Sequence, residues 1–151
     1  MIKSENIREI FSYDEETGVV SRVFGCAKEK PSKDGYKRIF FNGKHYQCHR
    51  VAMTIVNGFW PNELVDHING ITSDNRLCNL RLATKEQNRQ NIKNPSSKSG
   101  VLGVTWNKQS NKWQAQIKAG DKNHYLGVFK TIDLAKEAYL NAKRRFHQYG
   151  I

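Results

Sequence analysis

The sequence predicts an α+β protein in two parts, each built from short antiparallel strands and short helices. Three observations predict this fold class. Apolar runs flank Asn42-Gly43, which is a strong hairpin signal, and a polar stretch at residues 89–100 is rich in turn formers. Beyond that stretch, three strand-like runs precede a helical pattern. We therefore expect a first part, a linker and a second part at residues 1–94, 95–98 and 99–151.

The first part opens with a helical signal and continues into a small β module at residues 13–48. Residues 3–11 place Ile7, Ile10 and Phe11 on one side of a short helix. A turn is expected at residues 14–18. Strands are expected at residues 19–24, 36–41 and 44–48.

The next segment combines helix, strand and turn signals. Apolar spacing over residues 49–57 predicts a helix that Gly58 closes. Residues 64–68 suit a short strand, and turn formers follow it. Thr84 begins a capping-box pattern, so a helix is expected to start there and to carry Asn88 just past its first turn.

The second part reads as a three-stranded antiparallel sheet packed on one C-terminal helix. Strands are expected at residues 101–106, 112–118 and 124–129. The middle strand alternates, with one set of side chains on each face: Trp113, Ala115 and Ile117, against Lys112, Gln114, Gln116 and Lys118. Thr131 or Asp133 can cap the helix, and Gly150 is expected to end it. Its apolar positions are Ala135, Ala138, Tyr139, Ala142 and Phe146.

The charge predicts a polyanionic partner. The chain carries 25 Lys and Arg against 14 Asp and Glu, a net charge of +11. Ten of the basic and three of the acidic side chains lie in residues 95–151, so the excess is concentrated there. Such a balance favours nucleic acid before a membrane surface.

The composition argues against several other classes of protein. The aromatic content of 11% argues against a disordered basic tail, and no apolar run is long enough for a membrane span. The first residues lack the apolar core of a secretory signal. Cys26, Cys48 and Cys78 are too few for a disulfide framework, and without a paired CxxC a zinc ribbon is disfavoured. These features predict a cytoplasmic protein, in a host cell's cytoplasm if a phage encodes it, with no membrane partner.

The strongest chemical candidate is Asp66-His67, with Asn79 and Asn88 farther along the chain. Hydrolysing a phosphodiester needs a base that deprotonates water near neutral pH, a task that suits histidine. It also needs a divalent cation to stabilise charge, and Mg²⁺ requires only one carboxylate and one amide oxygen besides water. Because adjacent strand residues point to opposite faces, twist or a loop must bring the two chemistries together.

Residues 49–91 resemble the HNH nucleases of the phage and intron homing-endonuclease type. The matching pieces are His49-Arg50, Asp66-His67, Asn69-Gly70, Asn75-Arg76, Asn79-Leu80-Arg81 and Asn88. The resemblance implies a ββα-metal fold, in which a two-stranded ribbon and a helix clasp one metal ion. The small β module often precedes this motif in such enzymes.

The same resemblance implies roles for individual residues. His67 is the general base, Asp66 and Asn88 hold the metal, and Asn79 hydrogen-bonds across the loop and orients His67. Because asparagine stands at the third family position, Mg²⁺ or Mn²⁺ is expected rather than Zn²⁺. His49 and Arg50 have two open interpretations, as a pair that contacts phosphate or as the start of a helix.

Residues 99–146 resemble the APETALA2/ethylene-response-factor DNA-binding domain, in which a three-stranded sheet enters the major groove and a helix backs it. The matching steps are Gly103-Val104 with Trp106, Lys112-Trp113 with Ala115 and Ile117, Leu126-Gly127 with Phe129, and the helix alanines with Tyr139. The chain lacks the arginines that usually lie on the plant strands, so the plant target site is not assumed. The DNA contacts expected in this domain are Trp106, Lys108, Lys112, Gln114, Gln116, Lys118 and His124.

Together these features predict a metal-dependent HNH endonuclease that acts on double-stranded DNA as a monomer or weak dimer. Two alternatives remain open at this stage. One is a non-catalytic, sequence-specific DNA-binding regulator with an inert HNH relic. The other is a nuclease that selects branched or damaged DNA by structure.

Overall fold

Small antiparallel sheets, four α-helices and two short 3-10 helices (Ser4–Asn6 and Leu77–Asn79) make up the part of the chain that the computed structural model describes, namely residues 2–25, 28–92, 95, 97–147 and 149. The predicted α+β class is thereby confirmed. Contacts divide the chain into two compact units, Met1–Lys85 and Glu86–Ile151. The predicted parts and their linker at 95–98 stay predictions. Cys26, Gly150 and Ser96 of the linker lie outside the described residues.

The first unit contains three small antiparallel sheets, in which β1 pairs with β2, β4 lies between β3 and β5, and β6 pairs with β7. The strands are β1 (Phe11–Tyr13), β2 (Val20–Arg22), β3 (Lys30–Pro31), β4 (Lys37–Phe41), β5 (Lys44–Gln47), β6 (Leu64–His67) and β7 (Leu80–Ala83). The helices are α1 (Ile7–Ile10), α2 (Cys48–Asn57) and α3 (Lys85–Gln90), the last of which begins at the end of this unit.

Two turn predictions are confirmed by backbone geometry. Asn42 and Gly43 have φ angles of 46° and 75°, which suit the tight hairpin that joins β4 and β5. Gly58 ends α2 with a φ angle of 78°, and its N–H donates to the carbonyl of Thr54 at 2.9 Å.

The predicted first helix is too long at its C-terminal end. Phe11 belongs to β1, where it pairs with Arg22, and α1 ends at Ile10. The Phe11 side chain is 1% exposed and packs edge-on against Phe41, with ring centroids 5.7 Å apart. Burial of this ring outweighs the local helical spacing, because packing routinely overrides weak intrinsic propensity.

The core of the first unit forms around the apolar face of α2. Its fully buried members come from α1, the first two sheets and α2 itself: Ile7, Phe11, Val20, Ile39, Cys48, Val51 and Ala52. Val65 of β6 and Leu80 of β7 join the same cluster. The strand pair that carries the candidate chemistry is therefore fixed to the core by one apolar residue on each strand.

The second unit has the predicted sheet and helix. Its strands are β8 (Val104–Asn107), β9 (Lys112–Ala119) and β10 (Lys122–Phe129), with β9 in the centre, and its helix is α4 (Ile132–Phe146). Val104, Ala115 and Ala135 form a small buried cluster between sheet and helix. Thr131 caps α4, because its hydroxyl accepts the N–H of Leu134 at 3.4 Å. None of the helices described is both long and apolar enough to cross a membrane.

The first strand of this sheet starts later than predicted, because residues 101–103 form a turn. Gly103 has a φ angle of 68°, and a Cβ atom there would lie 2.4 Å from the carbonyl oxygen of Gln116 and 2.2 Å from the ring of Tyr139. Only glycine fits this left-handed position so close to the middle strand and the helix.

We predict that Gly103→Ala lowers the free energy of unfolding by about 3 kcal/mol, since it adds a left-handed alanine and a steric clash. Gly43→Ala is the matched control, because its φ is also positive but nothing lies within 4 Å of the new methyl group. The control should lose only about 1 kcal/mol. Urea unfolding of both variants measures the difference, and equal losses would contradict the close packing at Gly103.

A second prediction concerns His49, which is 4% exposed on α2. Burial, followed by the charges of His67 and Arg50, lowers the pKa of His49 from 6.5 to about 3. The unfolded chain therefore binds a proton here at mildly acidic pH and the folded chain does not. Above about pH 6.5 the contribution of His49 to the free energy of unfolding does not change with pH. Below that pH, the free energy of unfolding should fall by roughly 1.4 kcal/mol per pH unit, down to about pH 3.

The comparison with His49→Phe isolates this effect, because phenylalanine fills the buried site but does not titrate. Urea unfolding at several pH values should give a steeper acid loss for the parent than for the variant. Parallel curves between pH 6.5 and 4 would show that His49 accepts a proton in the folded state.

Candidate active site

Asp66 and His67 form the C-terminal end of β6 and are buried, at 6% and 4% exposure. The pairing of β6 with β7 places Asp66 opposite Arg81 and His67 opposite Leu80. Nε and Nη2 of Arg81 both donate to Oδ2 of Asp66, at 3.0 and 2.8 Å. This charge-assisted pair holds the carboxylate in one orientation on the face of the ribbon that Arg81 shares.

His67 contacts a different set of residues. Its Nε2 atom lies 2.9 Å from Oδ1 of Asn75, which is 1% exposed. Its ring meets the ring of His49 edge-on with centroids 5.2 Å apart, and the ring of Tyr36 lies at 5.9 Å. One amide and two rings are thus among the contacts of the imidazole, and they restrict its side-chain rotation.

The loop between β6 and β7 is shaped by Asn79. Oδ1 of Asn79 accepts the N–H of Asn69 at 2.9 Å, and Nδ2 donates to the carbonyl of Asp74 at 2.7 Å. The side chain thus spans the loop from one end to the other. Whether Asn79 also orients His67, as the resemblance implies, stays a prediction.

Asp74 adds a second set of contacts to this loop. Its carboxylate accepts bidentate hydrogen bonds from Arg76 and one from Nδ2 of Asn69 at 2.7 Å. The hydrogen bonds from Arg76, followed by that from Asn69, hold the pKa of Asp74 well below its usual range. Asp74 is therefore charged at neutral pH, and its hydrogen bonds stabilise the loop.

Asn88 lies half-buried on α3, which starts at Lys85, directly after Thr84 as the capping pattern predicts. It belongs to the second compact unit, whereas Asp66 belongs to the first. Their joint role as metal ligands stays a prediction. Within the described part of the chain, no group of three or more His, Cys, Asp or Glu side chains could hold a metal ion.

The structure corrects one interpretation of His49. Because its side chain is 4% exposed and packs on Tyr36 and His67, it has no surface to offer a phosphate. Arg50 donates to the backbone carbonyls of Pro61 and of Glu63, the latter at 3.1 Å. These contacts favour the alternative in which the pair begins and anchors α2.

The register of the second sheet separates two of the expected DNA contacts, Trp106 and His124, from the others; Trp106 is 44% exposed, and the role of both residues in DNA binding stays a prediction. Trp106 pairs with Trp113, and His124 pairs with Ile117. Residues paired across antiparallel strands share a face, so Trp106 and His124 lie on the helix side. Their rings contact Trp113 at 5.0 Å and Phe146 of α4 at 4.5 Å, respectively.

The outer face of this sheet keeps four of the expected residues: Lys112, Gln114, Gln116 and Lys118. Lys108 is exposed in the turn between β8 and β9. Tyr125 pairs with Gln116 and is 63% exposed, and Asn123 pairs with Lys118. Sequence reasoning missed Tyr125, because the irregularity between Tyr125 and Gly127 shifts the alternation of β10.

Asn75 and Arg81 are the residues of the first unit whose contacts sequence reasoning missed. Both stand in the segment that resembles a known motif, but spacing alone does not say which side chain they touch. The pairing of β6 with β7 aligns Arg81 with Asp66, and the fold of the loop aligns Asn75 with His67.

Comparison with known proteins bears on this site. The family model described as HNH endonuclease matches residues 46–90, which include α2, β6, β7 and α3. Protein 3.8 of Escherichia phage T7 is 39% identical over 84 residues, which cover 55% of this chain and 69% of that protein.

Two further likenesses extend over more of the chain. An uncharacterized HNH endonuclease, L560 of Acanthamoeba polyphaga mimivirus, is 32% identical over 121 residues, which cover 78% of this chain and 62% of the relative. A solved structure of the HNH homing endonuclease I-HmuI, described as showing DNA binding and cleavage, covers 90% of this chain and 80% of its own at 24% identity. Its TM-score of 0.49 is too low to bear on the site.

The matched segment contains the buried Asp66-His67 pair and the loop that Asn79 spans. The similarity to the phage protein covers more than two thirds of that relative's length. The chain therefore belongs to the HNH endonuclease family.

Proposed function

We propose that this protein is a divalent-metal-dependent endonuclease that hydrolyses phosphodiester bonds of double-stranded DNA, with His67 as the general base. The observation that carries the proposal is the environment of His67. Its buried ring is held by Asn75, His49 and Tyr36, and the residue before it on β6, Asp66, has an ion-paired carboxylate. A base held in one orientation, with an oriented carboxylate in the preceding residue, suits attack of water on a phosphodiester.

In this proposal His67 receives the proton of the attacking water. Burial on three sides limits the positions that the imidazole can reach, so proton transfer occurs along one direction. The ring of His49 stays neutral next to it, since burial lowers the pKa of His49 to about 3. His49 therefore adds no second positive charge beside the base near neutral pH.

Asp66 would hold the metal, and the resemblance to HNH nucleases implies Asn88 as its second ligand. The donor set fits a hard cation, since it contains carboxylate and amide oxygens and no thiolate. Arg81 orients the Asp66 carboxylate, with Oδ2 as the hydrogen-bonded oxygen. Bound Mg²⁺ or Mn²⁺ would stabilise the negative charge that develops on the phosphate and the leaving oxygen.

The outer face of the second sheet is the proposed DNA-binding surface. It carries exposed lysines at both ends of β9, amides between them and the exposed ring of Tyr125. Lysines neutralise phosphates, amides hydrogen-bond to base edges, and an exposed aromatic ring can pack on a sugar or base. The resemblance of residues 99–146 to the APETALA2/ethylene-response-factor domain supports the same face.

We predict that His67→Ala reduces cleavage of supercoiled plasmid at least a hundredfold, which is about the contribution of a general base. His45→Ala is the matched control, because His45 is exposed on β5 outside the contacts of His67. The control should cut as the parent does. Gel assays with Mg²⁺ and with Mn²⁺ measure nicked and linear product.

Two outcomes would contradict this proposal. Equal cutting by His67→Ala and the parent would show that another group is the base. If the parent leaves plasmid intact with every divalent cation, the non-catalytic regulator is correct. Faster cutting of branched than of linear duplex would favour selection by DNA structure.

We predict that Lys112→Gln with Lys118→Gln weakens duplex binding and reduces the slope of log affinity against log salt concentration by about 2. The matched control is Lys136→Gln with Arg144→Gln, which removes the same charge from the exposed side of α4. Fluorescence anisotropy at several salt concentrations measures both. Equal slopes for the two double variants would mean that the outer sheet face is not the binding surface.

A further inference from the structure

The hydrogen bond between His67 and Asn75 determines which nitrogen of His67 carries the proton. Oδ1 of Asn75 lies 2.9 Å from Nε2 of His67, and both side chains are buried. A carboxamide oxygen only accepts hydrogen bonds, so Nε2 must be the donor. The neutral imidazole is then protonated at Nε2, and Nδ1 is its basic atom.

The backbone of Asn75, as distinct from its side chain, is contacted by residues that precede β2. The hydroxyl of Tyr13 donates to the carbonyl oxygen of Asn75 at 2.7 Å, and burial raises the pKa of Tyr13 to about 12, so the donor stays protonated. Gly18, with a φ angle of 72°, lies so close that a Cβ atom would come within 2.5 Å of the carbonyl carbon of Asn75. The turn after β1 thus fixes the backbone of Asn75.

Burying the side-chain amide of Asn75 lowers the stability of the fold. Among the described residues and their hydrogen bonds, Nδ2 of Asn75 has no partner. An unsatisfied buried donor costs roughly 1–3 kcal/mol, which an apolar side chain of similar size would avoid. Its Oδ1 contact with His67 is the gain that offsets this cost.

The position of Asn79 separates its role from that of Asn75. Both polar atoms of the Asn79 side chain bind loop backbone, at Asn69 and at the carbonyl of Asp74. Asp74 directly precedes Asn75 in the chain. Asn79 therefore shapes the loop, and Asn75 contacts the imidazole.

We propose that Asn75 is the positioning residue of His67, which accepts the Nε2 proton and so keeps Nδ1 as the atom that takes the proton from water. The inference rests on the proposed role of His67 as the base. Without Asn75 the ring can exchange its protonated nitrogen or rotate, so that fewer molecules are competent at any moment.

The test measures the protonated nitrogen directly and activity separately. Full-length protein labelled with ¹⁵N-histidine is studied by long-range ¹H–¹⁵N spectra at about pH 8.5, where histidine side chains are generally neutral. The signals of His67 are assigned from their loss in His67→Ala. The parent should show the Nε2-protonated form, and Asn75→Leu should show a larger share of the Nδ1-protonated form.

In plasmid nicking, Asn75→Leu should lower kcat by about ten- to a hundredfold with little change in KM, as loss of an orienting contact does. Asn75→Asp keeps an acceptor in the same place and should recover part of kcat. Tyr13→Phe is the matched control: it removes one hydrogen bond to the backbone carbonyl of Asn75, while the close packing of Gly18 still fixes that backbone and the Asn75 side chain still reaches His67. It should keep both the protonated form and kcat near those of the parent.

An Nδ1-protonated His67 in the parent would overturn the proposal, whatever the activities of the Asn75 variants. Equal loss of kcat in Tyr13→Phe and Asn75→Leu would also overturn it, because the effect would then come from the loop. Failure of the parent to cut DNA would refute the proposed function alone, since the spectra still decide whether Asn75 fixes the ring.

Discussion

The loop between β6 and β7 is the constraint on which the candidate site depends. It leaves the sheet after His67 and returns to it at Leu80, and the Asn79 side chain closes it through the backbone of Asn69 and Asp74. A loop closed in this way has few conformations, so the side chains that it carries hold fixed positions. Asn75 reaches His67 because this closure directs the middle of the loop back over the end of β6.

The candidate site buries polar side chains next to an apolar core that stabilises the same strand pair. Val65 and Leu80 anchor the strand pair in the cluster around α2, while Asp66 and His67, both on β6, are also buried. A buried carboxylate without a partner would strongly favour unfolding, and the two hydrogen bonds from Arg81 to Oδ2 of Asp66 offset that cost. Such groups contribute orientation more than stability, and orientation is what a hydrolytic site requires.

The net charge of +11 also gains a more specific meaning from the fold. Composition indicates only a polyanion, with its basic excess in the last third. Alternation along β9 assigns two lysines and two glutamines to one face, and the register adds Tyr125 to that face and removes Trp106 and His124 from it. Pairing between strands thus determines which of the basic and aromatic residues can meet the same partner.

Local sequence patterns by themselves determined several turns, helix ends and strand faces of this protein. Asn42-Gly43, Gly58 and Thr131 specify their turn and caps through backbone preferences of a few residues, and the alternation of β9 specifies its two faces. The Asp66-His67 pair with its spaced asparagines also suffices to indicate the HNH family. Tertiary structure alone decided that Phe11 joins a strand, that Arg81 pairs with Asp66 and that Asn75 holds His67. These features depend on strand register and loop closure, which join residues far apart in the chain and which no local preference encodes.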